Sequence, residues 1–158
     1  MSQNTGQKKG QKGFSLVELL IVVAIIGIIA AIAIPNLLAS RRAANEASAI
    51  SSVRTIGSAE ATYAATYGNG VYVDLTTLAG QKLIDGAIAS ATAAAPKSGY
   101  FFAVNSPGAS GYVSGGVAAN ANVGTRTFTS TEAGIIYADA AGSATAVPNA
   151  TQGTPIGN

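Results

Sequence analysis

Hydrophobic and polar positions divide the chain into four zones. Residues 1–13 are polar and basic, with no large apolar residue after Met1. Residues 14–38 are almost wholly apolar, and Leu19 to Ser40 makes 22 consecutive residues without a charge. As a helix rising about 1.5 Å per residue, that run reaches roughly 33 Å, enough to cross a bilayer core of about 30 Å. From Asn36 to about Tyr67 the pattern stays helical but turns polar, with Ala49, Val53, Ile56, Ala64 and Tyr67 recurring on one face. Gly68-Asn69-Gly70 then supplies a stop, because both residue types tolerate the left-handed conformation that ends helices. The pattern predicts one helix from Phe14 to about Tyr67, lipid-compatible in its first half and amphipathic in its second. Pro35 removes a backbone hydrogen bond and crowds the preceding turn, so a kink or local melt is expected there. Gly27 is a second weak point. With Ala31 it also forms a small-xxx-small pair that would let a neighbouring helix approach.

Beyond Gly70 the periodicity changes. Val71-Tyr72-Val73 reads as a short extended piece, Leu75 to Leu83 as loop and turn, and Lys82 to Ala91 as a short helix. Tyr100 to Val104, Tyr112 to Val117, Thr125 to Thr129 and Ile135 to Ala138 read as strands, the second weakened by Gly115-Gly116. Ser130 to Gly134 is a hairpin loop between the last two. Three or four antiparallel strands result, and so small a sheet needs one face covered. The stripe on the second half of the helix is the expected cover, with Tyr63 and Tyr67 on or beside it. All of the ten aromatics except Phe14 lie after residue 62, so the large core-forming rings belong to this part. The expected fold class is α+β: a long kinked helix packed by its second half on a small antiparallel sheet. The expected divisions are a leader over 1–13, a membrane-compatible helix half over 14–38, a head over 39–140, and a polar tail over 141–158. The tail is expected to lie on the sheet as a loop or to be disordered.

Composition removes several chemistries. The chain has no cysteine, histidine or tryptophan, and only nine basic and seven acidic residues. Zinc and haem sites lose their usual ligands, and Ser-His-Asp and Cys-His catalysis lose their base. A disulfide-stapled scaffold is excluded. No metal or cofactor site is expected, and no carboxylate pair is suggested by spacing. The formal charge of +2 is concentrated at one end, because Lys8, Lys9 and Lys12 all precede Phe14. Without them six basic residues face seven acidic ones, mostly scattered, so no nucleic-acid partner is expected. The same three lysines favour a cytoplasmic N-terminus over the opposing pull of Arg41 and Arg42, which places the head outside the cytoplasm.

The sharpest signal is Lys12-Gly13-Phe14-Ser15-Leu16-Val17-Glu18-Leu19-Leu20. A basic leader ends in glycine, an aromatic follows, and a single carboxylate stands four residues later at the edge of the apolar run. A signal-peptidase site would follow the apolar region; this junction precedes it, so a cut here leaves the membrane helix on the product. Together with the continuation to Gly27 and with Ala33-Ile34-Pro35-Asn36-Leu37, the stretch resembles the type IV prepilin and type II secretion pseudopilin family. The resemblance covers about residues 8–40 and agrees beyond that in architecture alone. It implies cleavage by prepilin peptidase between Gly13 and Phe14, and N-methylation of Phe14. It further implies residence in the bacterial inner membrane among its lipids, then extraction by the pilus assembly machinery into a helical filament of identical subunits at the cell surface. Glu18, costly in an apolar setting, would neutralise the Phe14 amine of a neighbouring subunit. The alternative is that it snorkels to the headgroups and pairs with its own amine.

Other residues carry less. Arg42 and Glu46, four apart, would pair on the helix surface or meet a neighbouring subunit. Glu60 lies on the apolar stripe, where Arg126 or Lys97 would satisfy it. Asp74, Asp85 and Asp139 are isolated, a poor start for calcium, which takes six to eight oxygens. Asn149-Ala150-Thr151 spells a glycosylation acceptor without further support. Tyr63, Tyr67 and Tyr72 read as core. Many relatives in the family close a C-terminal loop with a disulfide, which this chain lacks.

Among functions, the resemblance favours a structural type IV pilus subunit. A type II secretion pseudopilin is the main alternative, and a minor, tip-located pilin is a third. A different class is a soluble secreted binding protein released by ordinary signal peptidase after Ala31-Ile32-Ala33. Pro35, Glu18 and the Gly13-Phe14 junction argue against it. An enzyme is not expected.

Overall fold

A computed structural model describes residues 13–140 and 153–156. Residues 1–12 of the leader, and 141–152 and 157–158 of the tail with its Asn149-Ala150-Thr151 triplet, lie outside the described residues.

Helix α1 runs from Leu16 to Thr66 over 51 residues, slightly inside the expected limits. It continues through Gly27 and Pro35, so neither residue melts it. From Leu38 onward the chain builds a compact head. Here α1 buries Glu46, Ala49, Ser52, Val53, Ile56, Ala59 and Glu60, a face repeating every three or four residues. The stripe ends sooner than its sequence pattern suggested. Ala64 is half-buried and Tyr67 is exposed, its ring 5.8 Å from that of Tyr63. The reason is the helix stop. Tyr67 N–H and Gly68 N–H both donate to the Tyr63 carbonyl, at 2.8 and 2.9 Å, and Gly70 N–H donates to that of Ala64. Asn69 and Gly70 take φ of 48° and 87°, turning the chain off the helix axis. A side chain at Gly68 would strike the Val71 carbonyl oxygen.

The segment expected as loop forms a second helix, α2, Leu75–Gly80. Asp74 caps it by accepting from Thr77 N–H at 2.7 Å, and Leu75 and Leu78 are buried. The helix expected over 82–91 shrinks to α3, Gly86–Ala89, capped by Asp85. Lys82 is left-handed at φ 59°, which separates the two helices.

The sheet has five strands rather than three or four. β1 (Tyr100–Gly108), β2 (Gly111–Ala118), β3 (Thr127–Thr131), β4 (Ile136–Asp139) and β5 (Thr154–Ile156) pair in that order, all antiparallel. β5 comes from the tail expected as loop or disorder. Its Pro155 is tolerated because the strand lies on the sheet edge. Tyr100, Phe102, Phe128 and Ile136 form one core with Ala49, Val53 and Ile56 of α1, so the helix covers the sheet as expected. Gly116 is opposite both Phe102 and Phe128 in register, and an added Cβ there would lie 2.8 Å from the Phe102 ring. The glycine that weakens the strand by propensity therefore makes room for the core.

Candidate functional site

The N-terminal segment is built around Ser15. Residues 13–15 are non-helical and exposed, and Phe14 is 87% exposed. The Gly13–Phe14 peptide bond thus stands in open backbone before the helix begins, and a Cβ added at Gly13 would meet nothing within 4 Å. Ser15 Oγ accepts from Val17 N–H at 3.3 Å, while Glu18 Oε2 accepts from Ser15 N–H at 2.9 Å. Ser15 thus caps the N2 amide with its side chain, and Glu18 reaches back to the Ser15 N–H as the N3 residue of a capping box does, so two of the amides at the helix start are satisfied. The Ser-x-x-Glu spelling is present in the sequence, and this capping role of Ser15 and Glu18 adds to the assembly and headgroup roles expected of Glu18.

Beyond the cap, every Phe, Leu, Ile and Val side chain from Phe14 to Leu38 is exposed. This part of α1 is long and apolar enough to cross a membrane. Space around Gly27 is open, with nothing within 4 Å of an added Cβ. Isolated apolar side chains are ordinary on protein surfaces, but a continuous band of this size marks a membrane or protein contact.

In the head, Glu46 does not take Arg42 as its partner. It is buried, and its Oε2 accepts from Arg126 Nε at 2.8 Å and faces Arg126 Nη2 at 2.8 Å. Its Oε1 accepts from Thr125 N–H at 2.9 Å and from the Thr125 hydroxyl at 3.0 Å. Burial alone would raise the Glu46 carboxyl, but these donors outweigh it and hold the group below its ordinary value. The surface pair inferred from i,i+4 spacing gives way to a partner 80 positions on, because Glu46 faces the sheet. Arg42 is half-buried, and its Nε has no hydrogen-bond partner among the described residues.

Glu60 also departs from expectation. Neither Arg126 nor Lys97 meets it in the bonds described: Arg126 serves Glu46, and Lys97 Nζ donates to Ser52 Oγ at 3.1 Å. Glu60 Oε2 instead accepts from Val73 N–H at 3.1 Å. Asp74 and Asp85 are occupied as helix caps. Among the described residues no three Asp, Glu, His or Cys side chains come together as a metal site. A half-open cleft of about 420 Å³ lies between α1 and the sheet, with Arg54, Tyr72, Tyr112 and Glu132 on its walls.

Similarity to known proteins is concentrated on the N-terminal segment. Residues 8–34 match the family model described as the prokaryotic N-terminal methylation motif. The motif takes in Gly13, Phe14, the capping box and Gly27, and stops one residue before Pro35. The chain is 63% identical over 38 residues to the type IV wide pilus major component PilA4 of Thermus thermophilus, covering 24% of this chain and 29% of that protein. It is 79% identical over 28 residues to a fimbrial protein of Pseudomonas aeruginosa, 18% of each chain. It is 38% identical over 47 residues to the type II secretion system core protein G of Aeromonas hydrophila, 30% of this chain and 33% of the other. The matches thus span a third or less of these curated relatives, whose names are those of pilus and secretion-system components.

Proposed function

We propose that this chain is a structural subunit of a type IV pilus. Prepilin peptidase cuts it between Gly13 and Phe14, the new Phe14 amine is methylated, and the product polymerises with identical copies through the first half of α1. The observation that carries this reading is the exposed apolar band from Phe14 to Leu38, joined to a methylation motif whose junction lies in open, non-helical backbone. Before assembly the band is covered by inner-membrane lipid with the N-terminus cytoplasmic, and the assembly machinery then moves it into the filament core. Glu18 answers the Phe14 amine of a neighbouring subunit, an arrangement that leaves two charges unpaired when a subunit is out of register. Arg42, half-buried on α1 and not engaged by Glu46, would meet an adjacent head through the part of its side chain left in solvent.

A second reading is a type II secretion pseudopilin. It is favoured by the length of the match to core protein G, 47 residues against 38 and 28 for the pilus components. The higher identities with pilus components favour the first reading.

Mass spectrometry of the mature N-terminus, in membrane and sheared surface fractions, tests both. N-methylated Phe14 in the sheared fraction is expected for a pilus, and N-methylated Phe14 confined to membranes for a pseudopilus. Ile34 as first residue would mean a released secreted protein, and an intact Met1 would mean an unprocessed anchor; either result overturns the filament reading.

A further inference from the structure

Glu60 is fully buried in the head. Its Oε2 holds Val73 N–H, and its Oε1 is buried with no hydrogen-bond partner among the described residues. An ionised carboxylate has room for about four donors, and leaving it short in an apolar site costs far more than burying the neutral acid. The groups around it do not help the charge. Asp74 stands one residue past Val73 and raises the Glu60 carboxyl further. On the sheet side Tyr112 of β2 feels the Glu60 charge, and with it stand Tyr72 and Glu132. None of these side chains is a cation. Arg54 lines the cleft with Tyr112, but six positions back on α1 it lies about 120° round the helix from Glu60. Burial, against the pull of the Val73 N–H, pushes Glu60 up to about 7.

The bond closes a loop of the chain. The helix stops at Thr66, the turn passes through left-handed Asn69 and Gly70, and Val73 is tied back to Glu60. That turn carries Tyr67 and Val71, two of the large apolar side chains the head leaves exposed. We propose that Glu60 is a proton-operated latch that fastens the Tyr67–Asp74 turn to α1 when protonated and releases it when ionised. The closed state binds a proton more tightly than the open one, whose carboxyl titrates near the ordinary 4.5. The latch is therefore fully fastened below that value and loosens as pH rises toward 7. It belongs to the folded head and does not depend on the filament reading.

Hydrogen exchange read by mass spectrometry on the full chain in detergent micelles tests this between pH 5 and 8, after correction for intrinsic exchange. Protection of the Tyr67–Asp74 amides is expected to fall by up to about tenfold per pH unit to pH 7 and to level off above it. Peptides from β2 and β3 should not follow, and Glu60→Gln, which cannot ionise, should flatten the profile. A flat profile in the unsubstituted chain, or an equal slope in Glu60→Gln, would overturn the proposal. Should Glu60→Gln fail to fold, Asp74→Asn keeps the α2 cap while removing the like charge. The decline must then level off at a lower pH, and an unmoved profile rejects the latch.

Discussion

Glu46 and Glu60 lie on one face of α1, 14 positions and about 21 Å apart along its axis, both buried and oppositely provided for. Glu46 receives two donors from Thr125 and the guanidinium of Arg126. Glu60 receives one backbone N–H. The same residue type on the same face thus ties the segment just before β3 to the helix in one case and a turn to it in the other. Their protonation states pull head stability in opposite directions.

Removing the charge at Glu46 should cost the head stability. Glu46→Gln keeps the shape but weakens charge-assisted bonds, each of which is worth about 1.5–3 kcal/mol. Arg126→Ala should cost less, because its side chain is 42% exposed and solvent screens that half of the pair. Thermal unfolding of the detergent-solubilised chain, followed by tyrosine near-ultraviolet circular dichroism, checks both. The double substitution should be clearly less harmful than the sum, since the two groups meet directly. Additive losses would mean the pair contributes through something other than its contact.

The two carboxyls together predict a stability maximum on the acid side of neutral. The raised Glu60 group stabilises the head fully below about 4.5, and that contribution is lost as pH climbs to about 7. The lowered Glu46 group stabilises it above its ordinary value and is lost as pH falls through its depressed one. Unfolding temperature should therefore rise from pH 8 toward pH 5 and fall again in stronger acid. In Glu60→Gln the alkaline limb should flatten while the acid limb remains. A monotonic rise from pH 3 to pH 8 would contradict the assignment of both groups.

Local patterns made the helix legible: 22 uncharged residues and a Gly-Asn-Gly stop need no knowledge of the rest of the fold. Ser15 was equally legible in principle, since Ser-x-x-Glu before an apolar run is a local signature. Glu46 was not, because its partner is 80 positions away and the nearer Arg42 fits the i,i+4 rule. β5 was not, because three residues that include a proline carry little intrinsic strand preference, and only pairing with β4 makes them a strand. Asp74 and Asp85 looked isolated because a cap bonds to backbone, which leaves no charge pattern in the sequence.

Gly124 should be intolerant of even one methyl group. A Cβ there would run into the hydroxyl of Tyr100, which is fully buried and donates to the Arg126 carbonyl at 2.9 Å. Tyr100 cannot swing away without losing that bond and its packing on Phe128. Gly124→Ala should cost about 1–3 kcal/mol of head stability by overpacking, read as a lower unfolding temperature. Gly27→Ala serves as the contrast. Its Cβ meets open space in the chain, so the unfolding temperature of the head should not change. Equal losses from both would show that the Tyr100 collision is not the cause.

Glu18 caps α1 in the structure and is proposed to neutralise a neighbouring amine, and glutamine distinguishes the two roles. The capping box needs an acceptor three residues after Ser15, and glutamine serves there as glutamate does. Charge neutralisation between subunits needs the negative charge, which glutamine lacks. Glu18→Gln should therefore keep the Ser15 bond and normal cleavage before Phe14, yet yield few filaments. Glu18→Ala should lose filaments as well and also loosen the first turn of α1, seen as faster amide exchange at Ser15 to Leu19. Counting sheared fibres and sequencing the N-terminus of both variants separates the outcomes. Normal fibre numbers from Glu18→Gln with scarce fibres from Glu18→Ala would make the cap, rather than the charge, the feature on which assembly depends. Normal numbers from both would remove Glu18 from assembly altogether.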